Sequence, residues 1–227
     1  MTARTRTWPG AWFGLLLIVA GPVAARQATA PSVEGRFIAN AGFVISDGET
    51  TILVDFPYRS GAFGYMEYDD NELEARDNAL CVFTHRHADH FDAGLIERLG
   101  CSVAGSPEVL GLVDARQRAG SGPEWEFGSA SIRCVESVHS NVDHCSYVID
   151  WHGTAIYVAG DVEELSALAQ VEHLDVAVIP AWLSPQVGQI RQRFPQARIV
   201  ITHHTASRDL SGCDDCLVPA PGEPIVW

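Results

Sequence analysis

Short apolar segments of this chain repeatedly end at an ionisable side chain, and this pattern limits the folds that the chain can adopt. The segment Ala79–Phe83 is apolar throughout, has the length of a buried strand and is closed by a polar break. Strand ends that converge on one edge of a sheet bring together residues that are far apart in sequence. We therefore expect a single cluster from the residues at these ends, Asp55, His85, His139, Asp161 and His204.

The pattern along the chain favours an α/β fold, because a strand-rich first half gives way to strands that alternate with helices. Asp47-Gly48-Glu49 is a turn signal between two of the early strands. Ser106-Pro107-Glu108 is a strong helix start, with a capping residue, a proline and an acid in order. The predicted helices cover Ala93–Leu99, Ser106 to Arg118, Glu163–Ala169 and Ser184 to Phe194.

The densest set of polar residues is the run Thr84–His90, which directly follows the apolar segment Ala79–Phe83. It contains three histidines and one aspartate in the pattern H-x-H-x-D-H. Imidazole nitrogens and carboxylate oxygens at short spacing are the ligands that zinc and similar divalent ions select. A polar loop with accidental histidines is the alternative, but four candidate ligands at this spacing rarely arise from composition alone.

The amino terminus has the features of a secretory signal peptide. Arg4 and Arg6 precede an apolar stretch, Ala11–Ala20, which is followed by the small residues of Pro22–Ala25. This stretch is too short to span a bilayer, which needs roughly 20 residues. We predict cleavage after Ala25, with an uncleaved anchor as the alternative. The prediction is a signal peptide at 1–25, one domain at 26–227, and a periplasmic or secreted protein.

Composition and cysteine content limit the partners. The chain has 29 acidic and 15 basic residues, with a formal net charge of −14. Such a surface disfavours nucleic acid and anionic membranes, so a small-molecule substrate is expected. Six cysteines in an exported chain permit disulfides in 15 pairings. Cys213 and Cys216 are the one local pair, and we interpret them as a short structural disulfide, with free thiols as the alternative.

The order of these residues resembles the five motifs of metallo-β-lactamase-fold hydrolases. Val138-His139-Ser140 is similar to the third motif, and Ile156–Asp161 is similar to the fourth. Pro221–Val226 resembles the last strand of the branch that contains ascorbate-phosphate lactonase-like proteins. The resemblance covers nearly all of the chain after the signal peptide. It implies a four-layer αβ/βα sandwich, in which two mixed β-sheets are flanked by helices.

The resemblance also implies a site with two divalent metal ions, zinc first, with manganese or iron as alternatives. Asp55 would orient a ligand histidine, and Asp89 and Asp161 would be the catalytic carboxylates. The first ion would be held by His85, His87 and His139, and the second by Asp89, His90 and His204, with Asp161 bridging the two. Since two close cations repel each other, two aspartates would temper that repulsion.

Several positions have rivals. His203 competes with His204, and the spacing from the preceding strand favours His204. His144 competes with His139, but the end-of-strand position favours His139, and His144 could line a pocket. Asp161 could instead be only a helix cap. The two remaining histidines, His152 and His173, are interpreted as surface residues.

The expected function is hydrolysis of an ester, lactone or phosphoester bond by a metal-bound hydroxide. A zinc β-lactamase-like amide hydrolase is the alternative. It is disfavoured because Asp161 occupies the position at which zinc β-lactamases of the common type have a cysteine. An iron-dependent oxygenase or redox enzyme, and a non-catalytic metal-binding protein, are alternatives from other classes. The aromatic loop 56–70 is either a lid or pocket wall, or a set of rings that packs over the sandwich.

Overall fold

Two sheets, each of six strands within the described residues, form the centre of the molecule. The computed structural model describes residues 32–120, 122–205 and 213–227. The first sheet has the strand order β12-β1-β2-β3-β4-β5. Its strands are β1 Glu34–Ala39, β2 Gly42–Ser46, β3 Thr51–Val54, β4 Ala79–Phe83, β5 Ser102–Gly105 and β12 Pro224–Val226. β3, β4 and β5 run parallel, and the other pairs are antiparallel, so the sheet is mixed.

The second sheet has the order β11-β10-β9-β8-β7-β6 and is also mixed. β9, β10 and β11 are parallel to one another, while β6 to β9 form antiparallel pairs. Its strands are β6 Glu124–Phe127, β7 Ala130–His139, β8 Val142–Trp151, β9 Thr154–Val158, β10 Val176–Pro180 and β11 Arg198–Thr202.

The helices of the described residues are few and short. The α-helices of the described chain are α1 Ala93–Leu99, α2 Pro107–Leu110 and α3 Val187–Arg193. α1 has the bounds that the sequence predicts. The side chain of Asp92 caps its first turn, and Gly100 adopts the left-handed conformation that ends it. Short 3₁₀ helices occur at Ala62–Gly64, Asp70–Leu73, Ala115–Gln117, Ser166–Gln170 and Ala181–Gln186.

Three of the four helix predictions are wrong in extent. The helix expected from Ser106 to Arg118 ends at Leu110, and the side chain of Asp114 accepts a hydrogen bond that begins a separate 3₁₀ turn. The helix expected at Glu163–Ala169 is replaced by the 3₁₀ helix Ser166–Gln170. The helix expected from Ser184 to Phe194 is divided into a 3₁₀ helix and α3.

A long-range contact explains the lost helix at Glu163–Ala169. In a helix, the carbonyl oxygen of Val162 would accept a hydrogen bond from the backbone of Ser166. Here that oxygen accepts a hydrogen bond from the indole nitrogen of Trp182 at 2.9 Å. Asp161 is therefore not the cap of a helix at Glu163–Ala169, which was the alternative to a role in the cluster.

Three apolar cores confirm the layered architecture. The central core lies between the sheets and includes Phe37 and Trp151. A second core packs the outer face of the first sheet against α1, through Ile96 and Leu99. A third packs the other sheet against α3, through Ile190. Three cores separate four layers, so the predicted α/β sandwich is confirmed. Full burial of each such side chain contributes about 1.5–3 kcal/mol.

All six cysteines are paired. Cys213 and Cys216 form the predicted local disulfide. Cys81–Cys101 joins β4 to the residue before β5, and Cys134–Cys145 joins β7 to β8. The first sheet and the second sheet therefore each contain one disulfide between neighbouring strands.

The predicted signal peptide at 1–25 lies outside the described residues. In the part of the chain that the structure describes, no helix is long and apolar enough to cross a membrane. Pro31–Trp227 forms one compact unit.

Candidate metal centre

The ends of five strands meet at one edge of the sandwich, as the sequence predicts. β4 is followed directly by Thr84 and the histidine run, and its five residues are all buried. His139 is the last residue of β7. Asp161 follows β9 after two residues, and His204 lies just beyond β11. Asp55 directly follows β3.

The first group of side chains consists of His85, His87 and His139. The Nε2 atom of His85 lies 3.0 Å from Nδ1 of His87, and Nε2 of His139 lies 3.3 Å from the same atom. Ligand nitrogens about 2.1 Å from one zinc ion in a tetrahedral site lie roughly 3.4 Å from each other. The three rings therefore have the spacing of ligands that share one ion.

The second group consists of Asp89, His90, Asp161 and His204, all of them buried. Nε2 of His90 lies 3.1 Å from Oδ2 of Asp161 and 3.5 Å from Oδ2 of Asp89. Nε2 of His204 lies 3.2 Å from Nε2 of His90. Two imidazole nitrogens and two carboxylate oxygens thus point to one place, and this ligand set suits zinc, manganese or iron.

A buried oxygen atom without a partner also fits a bound cation. Oδ1 of Asp161 is buried and lacks a hydrogen-bond partner among the described residues. Buried polar groups are nearly always paired, so an unpaired carboxylate oxygen beside two groups of donors fits a bound cation. These residues fit divalent metal ions. The chemistry and geometry of the cluster together carry that conclusion.

Asp55 supports the cluster from behind. Its Oδ2 lies 2.9 Å from Nδ1 of His90, and its Oδ1 accepts the backbone N–H of Thr84 at 2.7 Å. The hydroxyl of Thr84 donates to Asp55 and lies 3.0 Å from Nδ1 of His85. Nδ1 of His85 therefore donates to this hydroxyl. Both imidazoles are thus held with Nε2 toward the cluster, which is the orienting role expected of Asp55.

His144, which the sequence presents as a rival of His139, lies behind the cluster. Its Nε2 accepts the backbone N–H of Asp161 at 3.2 Å, so its Nδ1 carries the proton and donates to Oγ of Ser137 at 2.7 Å. Ser137 Oγ lies 3.0 Å from Oγ of Ser146, which donates to the carbonyl of Ala159 at 2.8 Å. This closed network fixes the backbone from which the Asp161 side chain projects.

Close packing around His144 explains the glycine at position 160. Gly160 has a φ of +66°, and a Cβ there would lie 2.6 Å from Nε2 of His144. A larger residue would therefore disturb the contact with Asp161. Burial, together with the nearby His139, lowers the pKa of His144 to about 3, so its ring is neutral at neutral pH. The sequence offers no signal for this role beyond the histidine itself.

The two groups differ in electrostatics. Burial, followed by the proximity of His90, holds the pKa of His85 well below its usual value. Burial alone would lower the pKa of His90, but Asp161 and Asp55 outweigh it and hold this pKa well above its usual value. Burial disfavours the carboxylate form of Asp161, yet His90 holds its pKa below the usual range. The imidazole of His85 in the first group is therefore neutral, whereas His90 and Asp161 of the second group form a charged pair.

The other histidines lie away from the cluster. The ring nitrogens of His203 face the carbonyl oxygens of Thr205 at 2.7 Å and Pro219 at 3.1 Å. The structure therefore places His204, and not His203, among the candidate ligands. His152 and His173 are exposed and lie beside aspartates, as expected of surface residues.

Aromatic side chains border one side of the cluster. The ring of Tyr65 lies 5.0 Å from that of His204, and Trp182 stacks on the same imidazole at 5.6 Å. Phe63 lies 6.1 Å from Tyr65. All three are exposed, and we call them the aromatic rim. The sequence pattern does not single out Trp182, although its position just after the end of β10 is the one local signal for it.

The loop 56–70 divides into a part that packs over the sandwich and a part that is exposed beside the cluster. Phe56 and Tyr58 are buried and contact Tyr68 edge to face, so these rings pack over the sandwich. Phe63 and Tyr65 instead lie in the rim. Whether this part moves as a lid stays a prediction.

Comparisons with known proteins agree with the fold and with a metal-dependent hydrolase. A family described as a beta-lactamase superfamily domain matches residues 36–189. A UPF0173 metal-dependent hydrolase of Natranaerobius thermophilus is 26% identical over 167 residues, which cover 64% of this chain and 69% of the relative. Two solved structures each have a TM-score of 0.67 and 19% identity over 86% of this chain. They are a possible metal-dependent hydrolase from Veillonella parvula, covered over 100% of its length, and an isothiocyanate hydrolase from Delia radicum gut bacteria, covered over 99%.

The fold and the histidine–aspartate cluster define a metal-dependent hydrolase. This chain belongs to the beta-lactamase superfamily domain family, in the metallo-β-lactamase superfamily. The family and the enzyme class predicted from the sequence are confirmed. The lactonase-like branch stays a prediction.

Proposed function

We propose that this chain is an exported hydrolase with two divalent metal ions, zinc first, that cleaves ester, lactone or phosphoester bonds of small molecules. The observation that carries the proposal is the pair of adjacent donor groups, one of three histidines and one of two histidines and two aspartates. A structural zinc site closes with four ligands, whereas a catalytic site keeps a position open. Three histidines alone leave such a position, and because a catalytic zinc can expand to five ligands, a position for water remains even when Asp161 also contributes.

Asp161 is the residue that would join the two groups. Its Oδ2 lies 3.1 Å from Nε2 of His90 in the second group. Its Oδ1 is buried and has no hydrogen-bond partner among the described residues, so it is available to the first group. Asp89 and Asp161 together supply the negative charge that a pair of cations needs, which supports the catalytic role assigned to both carboxylates.

When bound, ions at this cluster would supply an activated water as the nucleophile and a Lewis acid for the substrate oxygen. The side chains prepare the site for that chemistry. Asp55 and Thr84 hold two imidazoles in the orientation required, and the network of His144 fixes the backbone of Asp161. Burial of His90 and Asp161 keeps water from competing for these contacts.

The surroundings of the cluster favour neutral esters and lactones over phosphoesters. The aromatic rim gives one side of the site an apolar surface. Nearby carboxylates, such as Glu163 beside the backbone of Ser140, add negative charge, and the formal net charge of the chain is −14. Outside the immediate surroundings of the bound ions, an anionic substrate would approach against this field, whereas a neutral one would not.

Export is supported by the amino-terminal pattern and by the pairing of all six cysteines. Disulfides persist in oxidising compartments such as the periplasm and the extracellular space. The acidic composition supports a small-molecule substrate rather than nucleic acid or an anionic membrane.

The test is a substrate panel assayed with protein that has been stripped with a chelator and reconstituted with zinc, manganese or iron. The panel contains lactones, carboxylic esters, phosphodiesters, β-lactams and, because a protein of similar fold is an isothiocyanate hydrolase, isothiocyanates. We expect metal-dependent hydrolysis of a lactone or ester that exceeds phosphodiester hydrolysis. Metal-loaded protein that hydrolyses no member of the panel would contradict the proposal. A single bound iron with oxygen consumption would favour the oxygenase alternative.

A further inference from the structure

The turn between β1 and β2 is buried, although the turns of hairpins usually face solvent. Asn40 and Ala41, the two residues between these strands, are both buried. Connecting segments run over the surface in most proteins, because their polar groups need water or another partner. This turn instead contacts the loop 56–70 and the segment after β11. The amide side chain of Asn40 therefore needs partners within the protein.

Both ends of the Asn40 side chain are hydrogen-bonded. Its Nδ2 donates to the carbonyl oxygen of Asp89 at 3.2 Å, and its Oδ1 accepts the backbone N–H of Met66 at 3.1 Å. Because one partner is a carbonyl and the other is an N–H, their chemistry fixes the orientation of the amide. Asp89 belongs to the second group, and Met66 directly follows Tyr65 of the aromatic rim. A single side chain thus joins a candidate metal ligand to the rim.

The backbone around Asn40 adds two further contacts to this connection. Asn40 forms an isolated antiparallel bridge with His203, the residue before His204. The N–H of Met66 that Asn40 accepts also donates to the carbonyl oxygen of His204, at 3.1 Å. Asn40 therefore lies where the backbones of two ligands of the second group, Asp89 and His204, meet the loop 56–70.

The backbone conformation and the two hydrogen bonds together explain why position 40 carries asparagine. Its φ is +54°, in the left-handed region that glycine, asparagine and aspartate adopt most readily. Glycine would supply neither hydrogen bond. An ionised aspartate accepts hydrogen bonds but cannot donate one to the carbonyl oxygen of Asp89. Of these three residue types, only asparagine supplies a donor and an acceptor at once.

We propose that Asn40 is a positioning residue, which holds the second group and the aromatic rim in one arrangement. This role rests on the proposed function, because it concerns the same site. The bond to Asp89 fixes the backbone from which a ligand carboxylate projects, and the bond to Met66 fixes the residue next to Tyr65. Loss of the amide side chain should therefore weaken binding of the second ion and loosen the rim together.

The variant that tests this role is Asn40→Gly, since glycine adopts the left-handed backbone and removes both side-chain hydrogen bonds. Zinc affinity is measured by competition with a chromogenic chelator, and the second ion is identified as the one that Asp89→Ala fails to bind. We expect affinity for this ion to fall about 10-fold to 100-fold. The visible absorption of cobalt bound in its place should change as well, because the geometry of the ligands changes.

Hydrogen exchange of the Met66 amide, followed by NMR, reports on the rim in the same variant. The amide keeps one of its two acceptors, the carbonyl oxygen of His204. Loss of the other acceptor should make its exchange roughly fivefold faster in Asn40→Gly, with or without zinc. This readout does not depend on hydrolysis or on bound metal.

Asn78→Gly is the matched control. Asn78 also has a left-handed backbone, with a φ of +51°, and its Nδ2 donates to the carbonyl oxygen of Glu49 at 2.8 Å. Its side-chain partners, Glu49 and Thr50, belong to the turn before β3 and not to the cluster. Asn78→Gly should lower stability and leave zinc affinity, cobalt absorption and exchange of the Met66 amide unchanged.

A measurement on the wild type keeps the role of Asn40 testable even if Asn40→Gly does not fold. Zinc bound at the second group stabilises the backbone that Asn40 joins to Met66, so zinc should slow exchange of the Met66 amide at least about fivefold. The amide of Thr50, whose acceptor is the carboxylate of Asp47, should not respond.

Equal zinc affinity and equal exchange of the Met66 amide in Asn40→Gly and the wild type would overturn the role of Asn40. Losses of the same size in Asn78→Gly, or a Met66 amide in the wild type that does not respond to zinc bound at the second group, would overturn it too. Protein that binds no zinc would contradict the proposed function instead, and exchange in the metal-free protein would still decide whether Asn40 holds the rim.

Discussion

At the scale of single residues, Asp55 determines how well the second donor group is prepared for metal. Its carboxylate contacts Nδ1 of His90 at 2.9 Å and also accepts the backbone N–H of Thr84. In Asp55→Asn, the amide would lose the charge and one acceptor that hold these groups. We expect metal affinity to fall about 10-fold to 100-fold, measured by competition with a chromogenic chelator.

The matched control for that variant is Asp92→Asn. Asp92 is also an aspartate near the histidine run, but it caps α1 and is absent from both donor groups. Its replacement should reduce stability slightly and leave metal affinity unchanged. Equal metal affinity in Asp55→Asn and the wild type would show that Asp55 does not orient a ligand.

The buried ring of His144 leads to a prediction about how the stability of the protein depends on pH. Burial and the nearby His139 lower its pKa to about 3 in the folded protein, whereas an unfolded histidine has a pKa near 6.5. Between these values the unfolded chain binds a proton that the folded chain does not, so stability falls as pH falls. The free energy of unfolding of metal-free protein should therefore lose roughly 1 kcal/mol per pH unit through this group.

The measurement is urea unfolding of the metal-free protein between pH 6.5 and pH 5, for the wild type and His144→Gln. The side-chain oxygen of glutamine can still accept a hydrogen bond from the backbone N–H of Asp161, but glutamine does not titrate. The free energy of unfolding of His144→Gln should therefore depend less on pH than that of the wild type. His173→Gln, at an exposed histidine, should run parallel to the wild type. A parallel curve for His144→Gln would mean that the ring is not buried in its neutral form.

At the scale of elements, the loop 56–70 combines packing and access to the site. Tyr65 contacts the ring of His204 at 5.0 Å and is exposed on its other side. If substrates lie against the aromatic rim, Tyr65→Ala should raise KM for an apolar ester or lactone roughly tenfold, because a ring contact worth about 1–2 kcal/mol is lost. The value of kcat should change less.

Tyr65→Phe is the control for this prediction, because it keeps the ring and removes the hydroxyl. It should retain the KM of the wild type in the same steady-state assay. A low KM in Tyr65→Ala would show that the rim does not bind substrate. The deletion Gly61–Tyr65 tests the lid interpretation, since unchanged kinetics would exclude it.

The success of sequence-based prediction varied with the range of the interactions that form each element. α1 is predicted correctly because both of its end signals, Asp92 and Gly100, are local. The helix expected at Glu163–Ala169 fails because Trp182, a distant residue, binds the carbonyl of Val162. The cluster itself is predictable because its residues directly follow apolar strands. The hydrogen-bond network of His144 depends on contacts between the ends of three strands. Such contacts cannot be predicted from a local sequence pattern.

At the scale of the whole molecule, the sandwich brings the ends of strands from both sheets to one edge. The first sheet contributes the histidine run, and the second contributes His139, Asp161 and His204. The central core fixes the two sheets against each other, so the donor groups are assembled by the same packing that stabilises the fold. Metal binding and folding should therefore support each other.

The most direct test of the account is the number of metal ions per chain, measured by inductively coupled plasma mass spectrometry on protein reconstituted with zinc and then desalted. We predict two ions for the wild type and two for the control His173→Ala. His87→Ala should lose the ion of the first group and all hydrolysis, and Asp89→Ala should lose the ion of the second. One ion or none in the wild type, or two ions and full activity in His87→Ala, would contradict the two-metal centre.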